Sequence, residues 1–184
     1  MYAYYLPGHS GSLSTGLGEG LLSRGYQVAG RETLGEFLEL PFGQQVEAVA
    51  ADLQEHFWRE DAFVVCVSFG SYLLLHAQAK LPPFPGRVLL LSPILGEFRD
   101  DSTSRGFIPP RAGKLMRLAK EGSYPAPARC EIHVGSEDWQ SQPDVVTEFG
   151  KLTGIAVTVA QGRGHDLGKD YVAPLLDHWV RPFA

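Results

Sequence analysis

Several short stretches of this chain carry residue types able to do nucleophilic and proton-transfer chemistry. In Val65-Cys66-Val67-Ser68-Phe69-Gly70-Ser71 an apolar run ends at a serine and passes at once into helical periodicity, with small residues two places before and two after Ser68. A serine at so sharp a strand-to-helix turn projects its hydroxyl clear of a sheet, and the next backbone N–H faces the same space. Val134-Gly135-Ser136-Glu137-Asp138 puts a carboxylate after a later apolar run, and Gly162-Arg163-Gly164-His165 puts a glycine-flanked imidazole after another. Together these side-chain types can make a hydroxyl nucleophilic at neutral pH, the imidazole taking the proton and the carboxylate fixing the imidazole's tautomer.

Such residues need a scaffold. β-rich runs at 2–6, 26–31, 63–67, 87–92, 131–134 and 155–159 alternate with segments of helical period, as in Val46, Val49, Leu53 and Phe57 or in Val172, Leu175, Leu176 and Trp179. This alternation predicts a three-layer α/β/α sandwich around a mainly parallel sheet of about six strands. Leu13, Leu17, Leu21 and Leu22 continue the pattern after the first strand, where Gly16, Gly18 and Gly20 weaken the expected helix. The length of 184 residues suits one domain over 1–184. The irregular stretch 96–128, with Pro109-Pro110 and a helical run at 112–120, is expected to form a small lid insertion.

The serine turn resembles the nucleophile elbow, G-x-S-x-G, of the α/β-hydrolase superfamily, with Cys66 where that family usually has its first glycine. Asp138 and His165 follow in the family's order of Ser, Asp, His, each just past a predicted strand. The resemblance implies Ser68 as nucleophile, His165 as general base and Asp138 as the group that orients the histidine. Leu6-Pro7-Gly8-His9-Ser10-Gly11 resembles the family's oxyanion loop, which implies an oxyanion hole at Gly8 and at the backbone N–H groups of His9 and Phe69. The short Pro-Gly-x-x-Gly opening, the length and the missing cap domain look most like the small serine hydrolases grouped with the retinoblastoma-binding hydrolase. The implied activity is cleavage of a small ester, thioester or amide through an acyl-enzyme, with no cofactor and no metal. It would rise with pH through one ionisation, that of a histidine whose ordinary value of about 6.5 is shifted by its carboxylate neighbour.

Other readings stand beside these. Asp100 and Asp101 also follow a strand and could orient the histidine, and His9 could act as base from its loop. Asp166 is expected to cap the last helix. Tyr72, Phe98, Phe107 and Trp139 are candidate acyl-pocket residues, with simple packing as the alternative. His56, His76, His133 and His178 fall inside predicted elements and read as structural. Arg111, Lys114, Arg117 and Lys120 recur along one short helix and read as a solvated face, with attraction of an anionic substrate as the alternative. A hydrolase scaffold can also serve as a binding or regulatory protein, and an acyl-enzyme can pass its acyl group to an acceptor other than water.

Composition narrows the remaining classes. Hydrophobic residues make up 44% of the chain and charged residues 20%, with a formal net charge of -5, and no basic stretch is interleaved with aromatics. A small-molecule acyl substrate is therefore expected, rather than nucleic acid or a membrane. Cys66 and Cys130 adjoin apolar runs and read as buried hydrophobes, and the chain starts without a signal-peptide pattern, so a cytoplasmic location is expected. Phosphate-loop, dinucleotide and zinc-ligand spacings are missing from the sequence.

Overall fold

Consecutive apolar residues, rather than alternating ones, mark a strand covered on both faces. In this computed structural model, which describes residues 2–100 and 105–180, such runs form the centre of the sheet. The strands in chain order are Tyr2–Leu6 (β1), Gln27–Gly30 (β2), Phe63–Val67 (β3), Arg87–Leu91 (β4), Phe98–Asp100 (β5), Arg105–Phe107 (β6), Arg129–Gly135 (β7) and Ala156–Ala160 (β8). Six of them make an all-parallel sheet in the order β2-β1-β3-β4-β7-β8. The other two, β5 and β6, form a separate antiparallel hairpin.

The helices are Leu17–Leu22 (α1), Gly35–Glu39 (α2), Phe42–Asp52 (α3), Phe69–Gln78 (α4), Lys114–Lys120 (α5), Pro143–Thr153 (α6) and Lys169–Val180 (α7), with α3 widening into a π-turn over Leu53–Phe57. Side chains of alternate parity on β1, β3 and β4 point to opposite layers. Tyr4, Leu6, Val64, Cys66, Val88 and Leu90 pack under α3, α4, α5 and α6. Tyr5, Phe63, Val65, Leu89 and Leu91 pack under α1 and α7 through Leu21, Leu176 and Trp179.

The expected three layers and parallel sheet are thus present, with local differences. The helix expected from Leu13 begins only at Leu17, because the chain folds over its own start. A Cβ on Gly18 would lie 1.9 Å from the Leu13 carbonyl oxygen, and Gly16 sits at φ 57. Helix α2 and the β5–β6 hairpin were not signalled by periodicity, since each is too short to show any. From β1 the chain passes to β2 on one side and then to β3 on the other. Sheets of this type open a ligand crevice at the carboxyl ends of strands where the order reverses, here β1 and β3.

One buried group makes stability depend on pH. His76 on α4 is fully buried, edge-on to Tyr72 and Phe42, and neither ring nitrogen has a hydrogen-bond partner. Burial, with the Lys114 and Arg111 cations nearby, pushes its imidazole down to about 3. An unfolded histidine takes a proton near pH 6.5, so between these values the unfolded chain binds the extra proton. Stability contributed above about pH 6.5 is therefore lost as pH falls toward 3, by roughly 3 to 5 kcal/mol in full. Urea unfolding at pH 7 and pH 4 should show this loss, and His76→Phe should shrink it. An equal loss in the variant would show that other groups cause it.

Candidate active site

Ser68 connects β3 to α4 at φ 50 and ψ -114, a conformation that L-residues rarely adopt and that costs about 1–3 kcal/mol. The surrounding bonds hold it there. Its N–H donates to the Leu91 carbonyl at 2.9 Å, and its own carbonyl accepts from Tyr72 N–H at 3.2 Å. The helix can follow so abruptly because Gly70 lets it press on β1, where a Cβ would come within 2.2 Å of the Leu6 carbonyl oxygen. Cys66 fills the small position before the serine, fully buried, its thiol pushed well up by burial. Phe69 is the first residue of α4, so its N–H has no intrahelical acceptor.

The loop after β8 brings His165 to this serine. His165 Nε2 lies 2.8 Å from Ser68 Oγ, and Nδ1 lies 3.0 Å from both carboxylate oxygens of Asp138. Asp138 stands past the end of β7 and is only 1% exposed. Its Oδ1 accepts the N–H groups of Gln140 at 3.0 Å and Ser141 at 2.9 Å. Burial would raise this carboxyl, but the hydrogen bonds from His165 and from the Ser141 backbone outweigh it and hold the group below its ordinary range. An ionised carboxylate only accepts. Nδ1 therefore carries a ring proton, and in the neutral imidazole Nε2 is the acceptor to which the Ser68 hydroxyl donates. The two loops approach so closely that a Cβ on Gly135 would lie 2.1 Å from the Arg163 carbonyl oxygen.

The loop after β1 closes the third side. A Cβ on Gly8 would lie 3.5 Å from Ser68 Cβ. The loop is pinned by Thr33, fully buried, whose hydroxyl donates to the Gly8 carbonyl and accepts Gly11 N–H. Ser10 N–H goes to the Thr33 carbonyl at 2.8 Å and Gly11 N–H to the Gly8 carbonyl at 2.9 Å, whereas His9 N–H makes no such bond among the described residues. The His9 ring packs edge-on to Phe69 and its Nδ1 lies 3.0 Å from Ser10 Oγ.

Two cavities meet at Ser68. One, of about 470 Å³, lies on the α3–α4 side, lined chiefly by Leu38, Leu40, Phe42, Ile94, Phe98 and Phe107. The other, of about 710 Å³, lies between α1 and α7. Of the aromatic pocket candidates, Phe98 and Phe107 line the first cavity. Tyr72 is fully buried behind Phe42 and Phe69, its hydroxyl donating to the Pro110 carbonyl at 2.8 Å, and Trp139 packs edge-on to Phe98 without lining the cavity. Within 96–128 the hairpin overhangs this cavity, while α5 sinks Leu115 and Ala119 into the core. On α5, Arg117 pairs with Glu121 and Lys120 with Glu148.

Asp100 lies opposite Arg105 in the hairpin, Asp101 lies outside the described residues, and Asp166 accepts the Gly168 N–H at 2.9 Å ahead of α7. Sequence reasoning missed Thr33, Ser141, Gln140 and the apolar wall of Leu38, Leu40 and Phe42. None of them belongs to a motif, and Leu38 to Phe42 reach the site from a connection far from Ser68 in the chain.

No protein-family model matches the chain, and no curated protein matches it. Solved structures do. The ydeN gene product of B. subtilis superimposes with a TM-score of 0.66 at 13% identity, covering 97% of this chain and 98% of that one. The monoacylglycerol lipase of Paleococcus ferrophilus gives 0.67 at 14% identity, covering 97% and 93%. MGS-MChE2, an α/β hydrolase from a lagoon-sediment metagenome, gives 0.64 at 18% identity, covering 97% and 89%. At such identities the likeness concerns the backbone, and with the sheet order and helix layers it gives this chain the α/β-hydrolase fold.

Proposed function

We propose that this protein is a serine hydrolase that cleaves an ester, thioester or amide of an apolar acid through an acyl-enzyme on Ser68. The observation that carries the proposal is the unbroken hydrogen-bonded chain from Ser68 Oγ through His165 to Asp138, at the mouth of an apolar cavity. His165 takes the serine proton as Oγ attacks the acyl carbon, and Asp138, kept ionised, stabilises the imidazolium. The N–H groups of His9 and Phe69, free of other acceptors, hydrogen-bond the oxyanion as its charge develops. His165 then protonates the leaving group, and water repeats the cycle to free the acid.

The chain supplies nucleophile, base, acid and oxyanion donors, so the reaction needs no cofactor or metal. Within the fold we group the protein with small cap-less serine hydrolases of the retinoblastoma-binding kind, as a single cytoplasmic domain whose β5–β6 hairpin acts as a lid. No helix among the described residues is long and apolar enough to cross a membrane.

Initial rates on p-nitrophenyl esters of increasing acyl length test the reading. With the acyl chain in the apolar cavity, kcat/KM should rise about fourfold per added methylene until the hairpin is reached, at about 0.8 kcal/mol each. Turnover that ignores chain length, or that survives Ser68→Ala, would contradict it.

A further inference from the structure

The apolar cavity holds one polar group that the chemistry at Ser68 does not use. Of the polar side chains lining it, His9, Ser68 and Gln140 are shared with the second cavity, whereas Gln45, in the first turn of α3, is not. Gln45 is only 3% exposed. Its Nε2 donates to the carbonyls of Phe37, Leu38 and Leu40 at 3.1, 3.0 and 3.1 Å, which ties down the connection from α2 to α3 that carries the apolar wall. The side-chain amide makes no other hydrogen bond among the described residues, so Oε1 stands unpartnered. Unlike the sealed hydroxyls of Ser71 and Ser92, Oε1 keeps access to the cavity that Gln45 lines.

The direction of this amide is fixed. Turning it over would set Oε1 against three carbonyl oxygens, acceptor against acceptor. Gln45 therefore offers the cavity an acceptor and no donor. A plain alkyl chain seated here strips water from Oε1 and returns no hydrogen bond, which costs binding. A hydroxyl on the chain donates to Oε1 and removes that cost. An ammonium also donates, but no carboxylate lines the cavity among the described residues to balance its charge. An amide N–H donates too, yet it brings a carbonyl of its own, and the Gln45 N–H groups are already committed to the wall.

Resting on the hydrolase reading above, we propose that Gln45 selects the acid half of the substrate, an otherwise apolar acid bearing one hydroxyl group where its chain passes α3. Oε1 accepts that hydroxyl, while Nε2 holds the wall against which the rest of the chain packs. A site built to hydrogen-bond a substrate hydroxyl rejects analogues that lack it or carry it elsewhere, because the buried acceptor is then left unpaired. The cavity of about 470 Å³ has room for a chain of medium length.

The test measures competitive inhibition of p-nitrophenyl acetate hydrolysis by octanoate and by octanoates carrying a single hydroxyl at each carbon in turn. At one carbon the inhibition constant should be about tenfold lower than with the hydroxyl at other carbons. Methylating that hydroxyl should abolish the gain, because an ether accepts only. Gln45→Met should level the hydroxylated series when each acid is compared with plain octanoate in the same variant. Hydroxyl groups that weaken binding equally at every carbon, or methoxy acids that bind as well as the hydroxy acids, would overturn the proposal. So would an amide-bearing acid of the same length that binds more tightly than every hydroxy acid. The wild-type series decides this even if the variant fails to fold. Nitrophenol release that does not require Ser68 would instead overturn the hydrolase reading itself.

Discussion

Replacing His165 with alanine should lower kcat for ester hydrolysis by about a millionfold, and adding Ser68→Ala to it should cost almost nothing more. In the proposed mechanism the two side chains act as one unit. Ser68 Oγ donates to Nε2 at 2.8 Å, so an isolated serine has nothing to take its proton and an isolated imidazole has no hydroxyl to activate. In the proposed mechanism, what survives in either variant is the oxyanion pocket assigned to the His9 and Phe69 N–H groups and the binding of the acyl chain. These should keep a residual rate about 10³ to 10⁴ times that of water alone. Steady-state kinetics of both single variants and the double variant check this, and additive losses would show that the residues act separately.

Asp138→Asn should lower kcat by about 10⁴-fold with little change in KM. The native carboxylate forces the ring proton onto Nδ1, which leaves Nε2 free to accept. An asparagine can turn its amide N–H toward Nδ1, moving the ring proton to Nε2, where it faces the serine hydroxyl and blocks proton transfer. Because the Gln140 and Ser141 N–H groups hold the side-chain oxygen at Oδ1, the amide nitrogen is steered into the Oδ2 position, also 3.0 Å from Nδ1. The geometry of the site should therefore be preserved while its chemistry fails. A variant within tenfold of wild type would show that Asp138 merely packs.

How much of this could be read in advance differs from element to element. The central strands were legible because Phe63–Val67 and Arg87–Leu91 are continuous apolar runs that only a doubly covered strand tolerates. The serine turn was legible because Gly70, where a side chain would strike β1, leaves a mark at a fixed offset from Ser68. Asp138 and His165 could be placed just past their strands. Their meeting, however, depends on β7 and β8 being neighbours in the sheet, which is a tertiary fact. The hairpin was not legible, since Phe98-Arg99-Asp100 and Arg105-Gly106-Phe107 are too short and too charged to show alternation. Nor was the apolar wall at Leu38 to Phe42, whose residues look like any loop until the fold brings them over the serine. Thr33 shows the same limit, because its hydroxyl fixes the loop after β1 from a different strand end.

The central claim is that Ser68 is an activated nucleophile, and covalent labelling tests it most directly. The folded protein and its Ser68→Ala variant are treated with a fluorophosphonate probe, and the modified peptide is located by mass spectrometry. A single adduct on Ser68, absent from the variant, is the predicted result. An unlabelled wild-type protein, or a label that persists in the Ser68→Ala variant, would contradict it.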